Sequence, residues 1–448
     1  MCRGFATVSS SQVRYARLTD VGAKRSHNQD ACEVQLAADE QAWQARGHIF
    51  IVADGMGGHA VGEKASAKAI RDIPLTFAKH VSQEGVIPAI RRAFTEANAD
   101  IYEIGQKNPE FKGLGTTGTA LFLRSEGAWL GHVGDSRAYR IRPNKVEQLT
   151  FDHSWVWEIA KRQGIDPDQL GDFKKNVIVR SLGPDETVEV DIEGPHPTLP
   201  GDTFLLCSDG LSNEVPSDEI GAVVAAMTPE DAAKFLVHLA NVRGGRDNIT
   251  CIIVQVPGAD IGKSSALLPV IPGPFGRMVE KVNRIVPWPY TLLGLGSLLA
   301  LVSLVLQMQS VFGALPLFGL AAILILVGIV GLVLHLNKTK HDAAEAAEPV
   351  QELRVYKTYP FELGQGIFDR FTDKDNELKD VLKEHPDVDW AAHARFNEDA
   401  AAKGQAGDWL AAFRAKCQAL QMLAVVYNQE RGKSEEFRPN WDNPKGNT

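Results

Sequence analysis

The chain has 448 residues, 44% of them hydrophobic and 23% charged, with a formal net charge of -9. Such a length and composition predict two or three folded units and exclude a disordered chain, and the acidic balance without a concentrated basic face excludes a general nucleic-acid binder. Five cysteines, Cys2, Cys32, Cys207, Cys251 and Cys417, are scattered without any Cys-x-x-Cys spacing, which argues against a disulfide framework or a thiolate zinc site and suits a reducing compartment. No apolar core follows a basic start within Met1 to Asp20, so no secretory signal is expected there.

A short alternating strand from Val13 runs into a polar loop carrying Lys24, Arg25, His27 and Asp30, which reads equally as a binding loop or a solvated one. Ile49 to Ala53 is an unbroken apolar run, as in a fully buried strand, and it stops at Asp54-Gly55-Met56-Gly57-Gly58-His59. Taken alone, Asp-Gly after a strand is a turn. Yet glycine permits close backbone approach, so that the Asp54 carboxylate and the Gly55 carbonyl can face one point, and paired oxygens suit a hard cation. Ala65, Ala69, Ile70 and Ile73, then Ile87, Ile90, Phe94, Ala97 and Ile101, recur at helical spacing and predict amphipathic helices over Gly62 to His80 and Val86 to Gly105.

Further along, Ala128 to Val133 leads to Gly134-Asp135-Ser136-Arg137, and Thr203 to Cys207 leads to Ser208-Asp209-Gly210. After a helix over Pro229 to Val242, Gly244-Gly245-Arg246-Asp247-Asn248 enters a strand over Ile249 to Val256. Asp152 to Lys175 is polar, with a helical piece near Trp155 to Gln163, and reads as an excursion from the core. Short strands in series with few helices between them predict an α+β layered sandwich rather than a doubly wound sheet.

The Pro-, Gly- and Ser-rich linker 257–287 marks a boundary. From Arg284 to Lys338 no Asp, Glu, Lys or Arg intervenes, and apolar runs over 288–306 and 311–336 are each long enough to cross a bilayer. Two buried core helices are the alternative. Arg277, Lys281 and Arg284 precede the runs and Lys338 and Lys340 follow them, which places both ends in the cytoplasm by the positive-inside rule. The remainder, 350–436, predicts a small helical cytoplasmic domain in which Trp409, Leu410, Phe413, Cys417, Leu420, Leu423 and Ala424 share one face.

Asp54, Asp135, Asp209 and Asp247 each stand at the end of a strand or at the entrance to one. If those ends converge, the gathered charge is costly without cations, and oxygen ligation without Cys or His points to Mg2+ or Mn2+ rather than zinc. Two such ions can activate a shared water against phosphorus, while Arg25 can clamp phosphate oxygens.

Arg25-Ser26-His27-Asn28-Gln29-Asp30, Val52-Ala53-Asp54-Gly55-Met56-Gly57-Gly58-His59, Gly115-Thr116-Thr117, Gly134-Asp135-Ser136-Arg137, Leu206-Cys207-Ser208-Asp209-Gly210-Leu211 and Gly245-Arg246-Asp247-Asn248-Ile249-Thr250 occur in this order. With them the chain resembles the bacterial type of the PP2C (PPM) metal-dependent protein serine/threonine phosphatases, over roughly Arg14 to Val256. The resemblance implies a four-layer αββα sandwich, two antiparallel sheets flanked by helices, for a domain over 10–256. It also implies two Mn2+ or Mg2+ ions and a weaker third. Asp54, Asp209, Asp247 and the Gly55 carbonyl would be direct ligands, with Asp30 bound through water and Asp135 on the third metal. Arg25 would hold the substrate phosphate, and the 152–175 excursion would be the family's variable flap. Where many members carry Glu before the outer aspartate, this chain has Gln29, which can still hydrogen-bond a metal-bound water. His59 is a candidate acid for the leaving oxygen, although its spacing differs from the Asp-Gly-His of animal members. His27, His132 and His153 read as structural or solvated, and Thr116 and Thr117 as holding backbone turns.

The resulting expectation is a membrane-anchored phosphatase that hydrolyses phosphoserine and phosphothreonine on cytoplasmic proteins by attack of a metal-bridged water and opposes a Ser/Thr kinase. It would lie in a bacterial cytoplasmic membrane with its phosphatase domain and C-terminus on the cytoplasmic side. The alternative is a catalytically weak membrane scaffold or sensor of the same fold that works through its C-terminal helices.

Overall fold

The computed structural model describes residues 4–6, 13–57, 62–170, 177–256, 288–309, 314–347, 354–383 and 385–434. His59, the linker 257–287, the start of the second apolar run and the tail from Phe437 fall outside them.

Among the described residues the strands form two antiparallel sheets. One runs Asp191–His196, Gly127–Val133, Gly118–Arg124, His48–Met56 and Asp30–Gln35 in spatial order. The other runs Gly4–Ala6, Arg14–Asp20, Ile249–Gln255, Thr203–Cys207, Arg137–Arg142, Lys145–Gln148 and Lys357–Pro360. Strand His48–Met56 shows why its sequence is apolar at every position rather than at alternate ones. Phe50 and Val52 face the opposite sheet, against Phe204, Leu206, Ile252 and Val254. Ile49, Ile51 and Ala53 face the helices Gly62–Glu84 and Val86–Lys107, meeting Ala69, Ile73, Phe77 and Phe94. A strand covered on both faces has no solvent side to write in polar residues. The second sheet is covered in turn by Ser217–Ala226 and Pro229–Val242, which completes the predicted four-layer sandwich.

Asp152 and His153, read with the excursion, are buried. The two ends of the excursion meet where Ser154 bridges Ile178, and the His153 amide ties its root to the sandwich by donating to the Gly134 carbonyl at 2.7 Å.

The C-terminal segment belongs to the same compact unit as the sandwich. Lys357–Pro360 pairs with Lys145–Gln148 at the sheet edge, a site where unpaired backbone groups accept a further strand. Helices Gln365–Leu382, Trp390–Gln405 and Trp409–Ser434 follow. Phe371 stacks on Phe235 at 5.9 Å and meets Phe413 edge-on at 4.8 Å. Phe413, Cys417, Leu420, Leu423 and Ala424 are buried in the core shared with Pro229–Val242, whereas Leu410 is exposed. The apolar stripe is therefore a packing face, and its partner is the helical layer of the sandwich as well as its own helices.

The second compact unit holds two apolar helices, Trp288–Met308 and Ala314–Ala347. They pack through small residues: Gly296 lies against Ile325 and Gly328 against Leu293. Among the described residues one span, Pro289–Met308, is long and apolar enough to cross a membrane, and the apolar stretch Pro316–Leu332 is shorter.

Candidate metal centre

Backbone pairing brings the acidic positions to one end of the sandwich. Asp30 and Asp54 are directly opposite on neighbouring strands, an arrangement that is destabilising for two like charges. On the other sheet Cys207 pairs with Cys251, so that Asp209, just beyond one strand, and Asp247, just before the next, emerge side by side. Asp135 follows Gly127–Val133 in a tight turn. All the carboxylates expected at the site thus converge.

The scaffold around them is built from uncharged side chains gripping backbone. Thr117 Oγ1 accepts from the Asp54 amide at 2.8 Å, while the Thr117 amide and Thr116 Oγ1 both donate to the Asp54 carbonyl, at 2.8 and 2.9 Å. This is the turn-holding role expected of the two threonines. Gly55 is buried against Gly62, and a Cβ on it would stand 2.3 Å from the Gly62 carbonyl oxygen and 2.6 Å from that of Gln29. Gln29 contributes through its backbone, its carbonyl accepting from Gly55 and from Ser66 Oγ.

The carboxylates themselves are under-satisfied. Ser208 Oγ donates to Asp30 Oδ2 at 2.7 Å, but Asp30 Oδ1, Asp135 Oδ1 and Asp209 Oδ1 are buried with no hydrogen-bond partner. Burial, followed by the charges of Asp209 and Asp247, pushes Asp30 up to about 7. Burial and then Asp247 push Asp209 up to about 6, with a hydrogen bond to Asp54 acting the other way. Asp54 is held well above the usual carboxylate range by burial and by Asp30, Asp209, Asp135 and Asp247, and Asp135 by burial and Asp209. Two carboxylates about 4 Å apart repel by roughly 4 kcal/mol at an effective dielectric of about 20. A hydrogen bond to a charged group returns only about 1.5–3 kcal/mol. Hard cations relieve both the repulsion and the orphaned oxygens, so the donor set fits Mg2+ or Mn2+.

Arg25 stands at the rim, half exposed, and donates through Nη2 to Asp247 Oδ2 at 2.7 Å. A guanidinium placed there can reach a phosphate dianion at the carboxylate cluster. His132 is buried, bonded to Thr119 Oγ1 at 2.9 Å and to the Phe151 carbonyl at 2.8 Å, and burial pushes it down to about 3. His153 is also buried, its Nδ1 accepting from the Gly134 amide at 2.9 Å. Both are structural; His27 lies exposed in the Arg25 loop.

Several residues of the site were not assigned a role from sequence. Asn248 accepts from the Gln29 amide at 2.8 Å and donates to the carbonyls of Val21 and His27, stitching the Arg25 loop to the Asp247 loop. Arg137 forks onto Asp152, a buried pair just behind Asp135. Both follow a site aspartate in sequence, Asn248 at once and Arg137 by two residues, which was the available signal. A separate group joins His385 and Asp387, in the loop between helices Gln365–Leu382 and Trp390–Gln405, to Glu430 on Trp409–Ser434, with candidate ligand atoms within 4.8 Å. His385 Nδ1 there already accepts from the Asp387 amide at 3.3 Å.

An acidic cup at the joined ends of two sheets, with an arginine at its lip, is the build of a metal-dependent enzyme acting on phosphate esters. The Protein phosphatase 2C family model matches residues 21–240. The serine/threonine phosphatase stp of Listeria monocytogenes is 35% identical over 242 residues, 53% of this chain and 93% of that one. The protein phosphatase PhpP of Streptococcus pneumoniae is 35% identical over 249 residues, 54% and 97% of the two chains. Among solved structures, the serine/threonine phosphatase Stp1 of Staphylococcus aureus aligns with a TM-score of 0.51 at 28% identity, covering 57% of this chain and 100% of that one. The S. agalactiae serine/threonine phosphatase aligns with 0.50 at 33% identity, covering 55% and 99%. The chain belongs to the protein phosphatase 2C family and is a serine/threonine phosphatase, a class that works with two Mn2+ or Mg2+ ions.

Proposed function

We propose that this phosphatase hydrolyses phosphoserine and phosphothreonine on cytoplasmic proteins from a membrane-anchored position, by direct water attack and without a covalent phosphoenzyme. The observation that carries the site assignment is the set of buried carboxylates with orphaned oxygens at Asp30, Asp135 and Asp209. Asp54, Asp209, Asp247 and the Gly55 carbonyl would hold the two metals, with Asp30 supporting one through water and Asp135 contributing to a weaker third. When bound, the ions activate water and neutralise charge developing on the phosphoryl oxygens. Arg25 binds and orients the substrate phosphate in a bidentate grip, and its exposure lets it exchange Asp247 for the incoming dianion. Thr116, Thr117 and Asn248 keep the loops in register so that the carboxylates need not reorganise during turnover.

For anchoring, support comes from the qualifying span Pro289–Met308, its packing against the second apolar helix, and the flanking basic residues. In this reading 10–256 is the phosphatase domain, 257–287 a linker, and the two helices a hairpin that returns 350–436 to the cytoplasm, facing substrates of an opposing kinase. The test of the site uses full-length protein in detergent and a phosphothreonine peptide. Phosphate release should require Mn2+ and disappear in Asp209→Ala and Asp54→Ala; manganese-dependent turnover surviving either change defeats the assignment. Topology is read by labelling cysteines placed near Thr448, which must react from the cytoplasmic side.

A further inference from the structure

The Arg25 and Asp247 loops share one anchor. The Gly245 carbonyl accepts from the amides of Ala23 and Lys24, at 2.8 and 3.1 Å, so it carries the Arg25 loop as well as its own. Gly245 has φ +54, a left-handed turn that a Cβ would strain. The turn begins at the C-terminus of helix Pro229–Val242, whose last carbonyls find partners beyond the helix: that of Ala240 accepts from the Gly245 amide at 3.0 Å and that of Asn241 from the Gly244 amide at 3.2 Å, each with a lone pair left for a second donor.

Those carbonyls are met by the far end of the chain. Arg431, on helix Trp409–Ser434, donates through Nη1 to the Asn241 carbonyl at 3.3 Å and through Nη2 to the Gly244 carbonyl at 3.1 Å. A cation at a helix C-terminus also complements the helix dipole. A second route reaches the same turn from Gln365–Leu382. Arg370 Nη1 lies 3.2 Å from Glu219 Oε1, and Glu219 Oε2 lies 2.6 Å from Arg243 Nη2, an ion pair without hydrogen-bond alignment. Arg243 in turn donates to the Glu214 carbonyl at 3.3 Å. Glu219 is buried, and these two arginines are its counter-charges.

We propose that Arg431 is a positioning residue for the metal centre: by holding the Asn241–Gly244 turn it sets the placement of Asp247 and, through Gly245, of Arg25. The catalytic centre is then completed by a segment that follows the apolar helices in the chain. The matched relatives cover little more than half of this chain, so this support is an addition to the aligned domain. The inference rests on the assignment of Asp247 as a metal ligand.

The test measures Mn2+ affinity of the full chain in detergent by the electron paramagnetic resonance signal of free Mn2+, beside kcat and KM on a phosphothreonine peptide and the thermal midpoint. Removal of a group supporting a metal ligand typically weakens affinity by about tenfold or more, and Arg431→Ala should do so, with Arg431→Lys recovering part. Arg414→Ala is the control, since Arg414 on the same helix donates to the Ala226 carbonyl, away from the turn. It should lower the thermal midpoint comparably while leaving Mn2+ affinity within about twofold, below the range for metal-supporting groups. Wild-type affinity in Arg431→Ala, or an equal loss in Arg414→Ala, overturns the proposal. Failure of the underlying metal assignment shows differently, as wild-type protein that binds no Mn2+ or as Asp247→Ala that binds it unchanged.

Discussion

Two clusters of buried charge in this chain are built in opposite ways. In the C-terminal helices Asp375 accepts from His393 Nε2 at 2.9 Å and lies 3.6 Å from Lys416 Nζ, which itself donates to Asn397. Every charge there meets an opposite charge or a polar partner. In the catalytic cup, Asp30, Asp54, Asp135, Asp209 and Asp247 face one another, and their counter-charge among the described side chains is chiefly Arg25 at the rim and Arg137 behind. A closed cluster contributes to folding; an open one is held in place by the fold and is complete only when cations arrive. Burial of an aspartate therefore does not mark function, whereas burial without a partner does.

The largest expected contrast is in turnover. Losing a metal ligand removes several kcal/mol of transition-state stabilisation, so Asp209→Ala should lower kcat by about a thousandfold or more, measured as phosphate release. Asp375→Ala should leave kcat per folded molecule unchanged. It should instead cost about 3–5 kcal/mol of stability by leaving Lys416 buried without its counter-charge, read from chemical denaturation. If Asp375→Ala lost turnover while remaining folded, the division between the clusters would fail.

Arg25→Ala should reduce kcat/KM by about ten- to a hundredfold, mostly through weaker substrate use, because a bidentate guanidinium–phosphate contact is lost while the carboxylates remain. Next comes pH. Asp30 at about 7 and Asp209 at about 6 lie above their unfolded value of 3.8, so without metal the native cup binds extra protons between about pH 4 and 7. That contribution to stability is present at low pH and is lost as pH rises through the window. Mn2+ needs the ionised form, so its stabilisation of the fold, about 2.7 kcal/mol at a hundredfold excess over Kd, should show as a larger rise in thermal midpoint at pH 7.5 than at pH 5 for the same Mn2+ concentration. His132 at about 3 and His48 and His196 at about 4 act in the opposite sense. Lowered by burial, they stabilise above the unfolded value of 6.5, and this is lost as pH falls through their folded values, with or without Mn2+. The smallest effect belongs to an exposed pair: Lys403→Ala, which removes the contact to Asp399 at 2.6 Å, should cost no more than about 0.5 kcal/mol.

Much of the sandwich and the whole acidic set were legible in the sequence because their signals are local. A strand covered on both faces must be apolar throughout, as Ile49 to Ala53 is, and helix Pro229–Val242 agrees with its periodicity residue for residue. Helices Glu40–Arg46, Ser217–Ala226 and Trp390–Gln405 and strand Lys357–Pro360 left no such trace. The first is short and has no buried residue, the second is buried nearly all round, the third buries only His393 and Ala400, and the fourth is a brief edge strand. In each, the periodic contrast that betrays an element is weak.

What the sequence determined by itself was the chemistry: carboxylates delivered by glycine-rich turns at strand ends, an arginine ahead of them, and a long stretch free of charged side chains. What only the tertiary structure decided was which distant groups hold that chemistry still. Asn248 and Arg431 act by donating to carbonyl oxygens of Val21, His27, Asn241 and Gly244. A backbone carbonyl is the same in every residue, so its partner leaves no mark on the sequence around it. Only the docking of elements roughly two hundred residues apart brings donor and acceptor together.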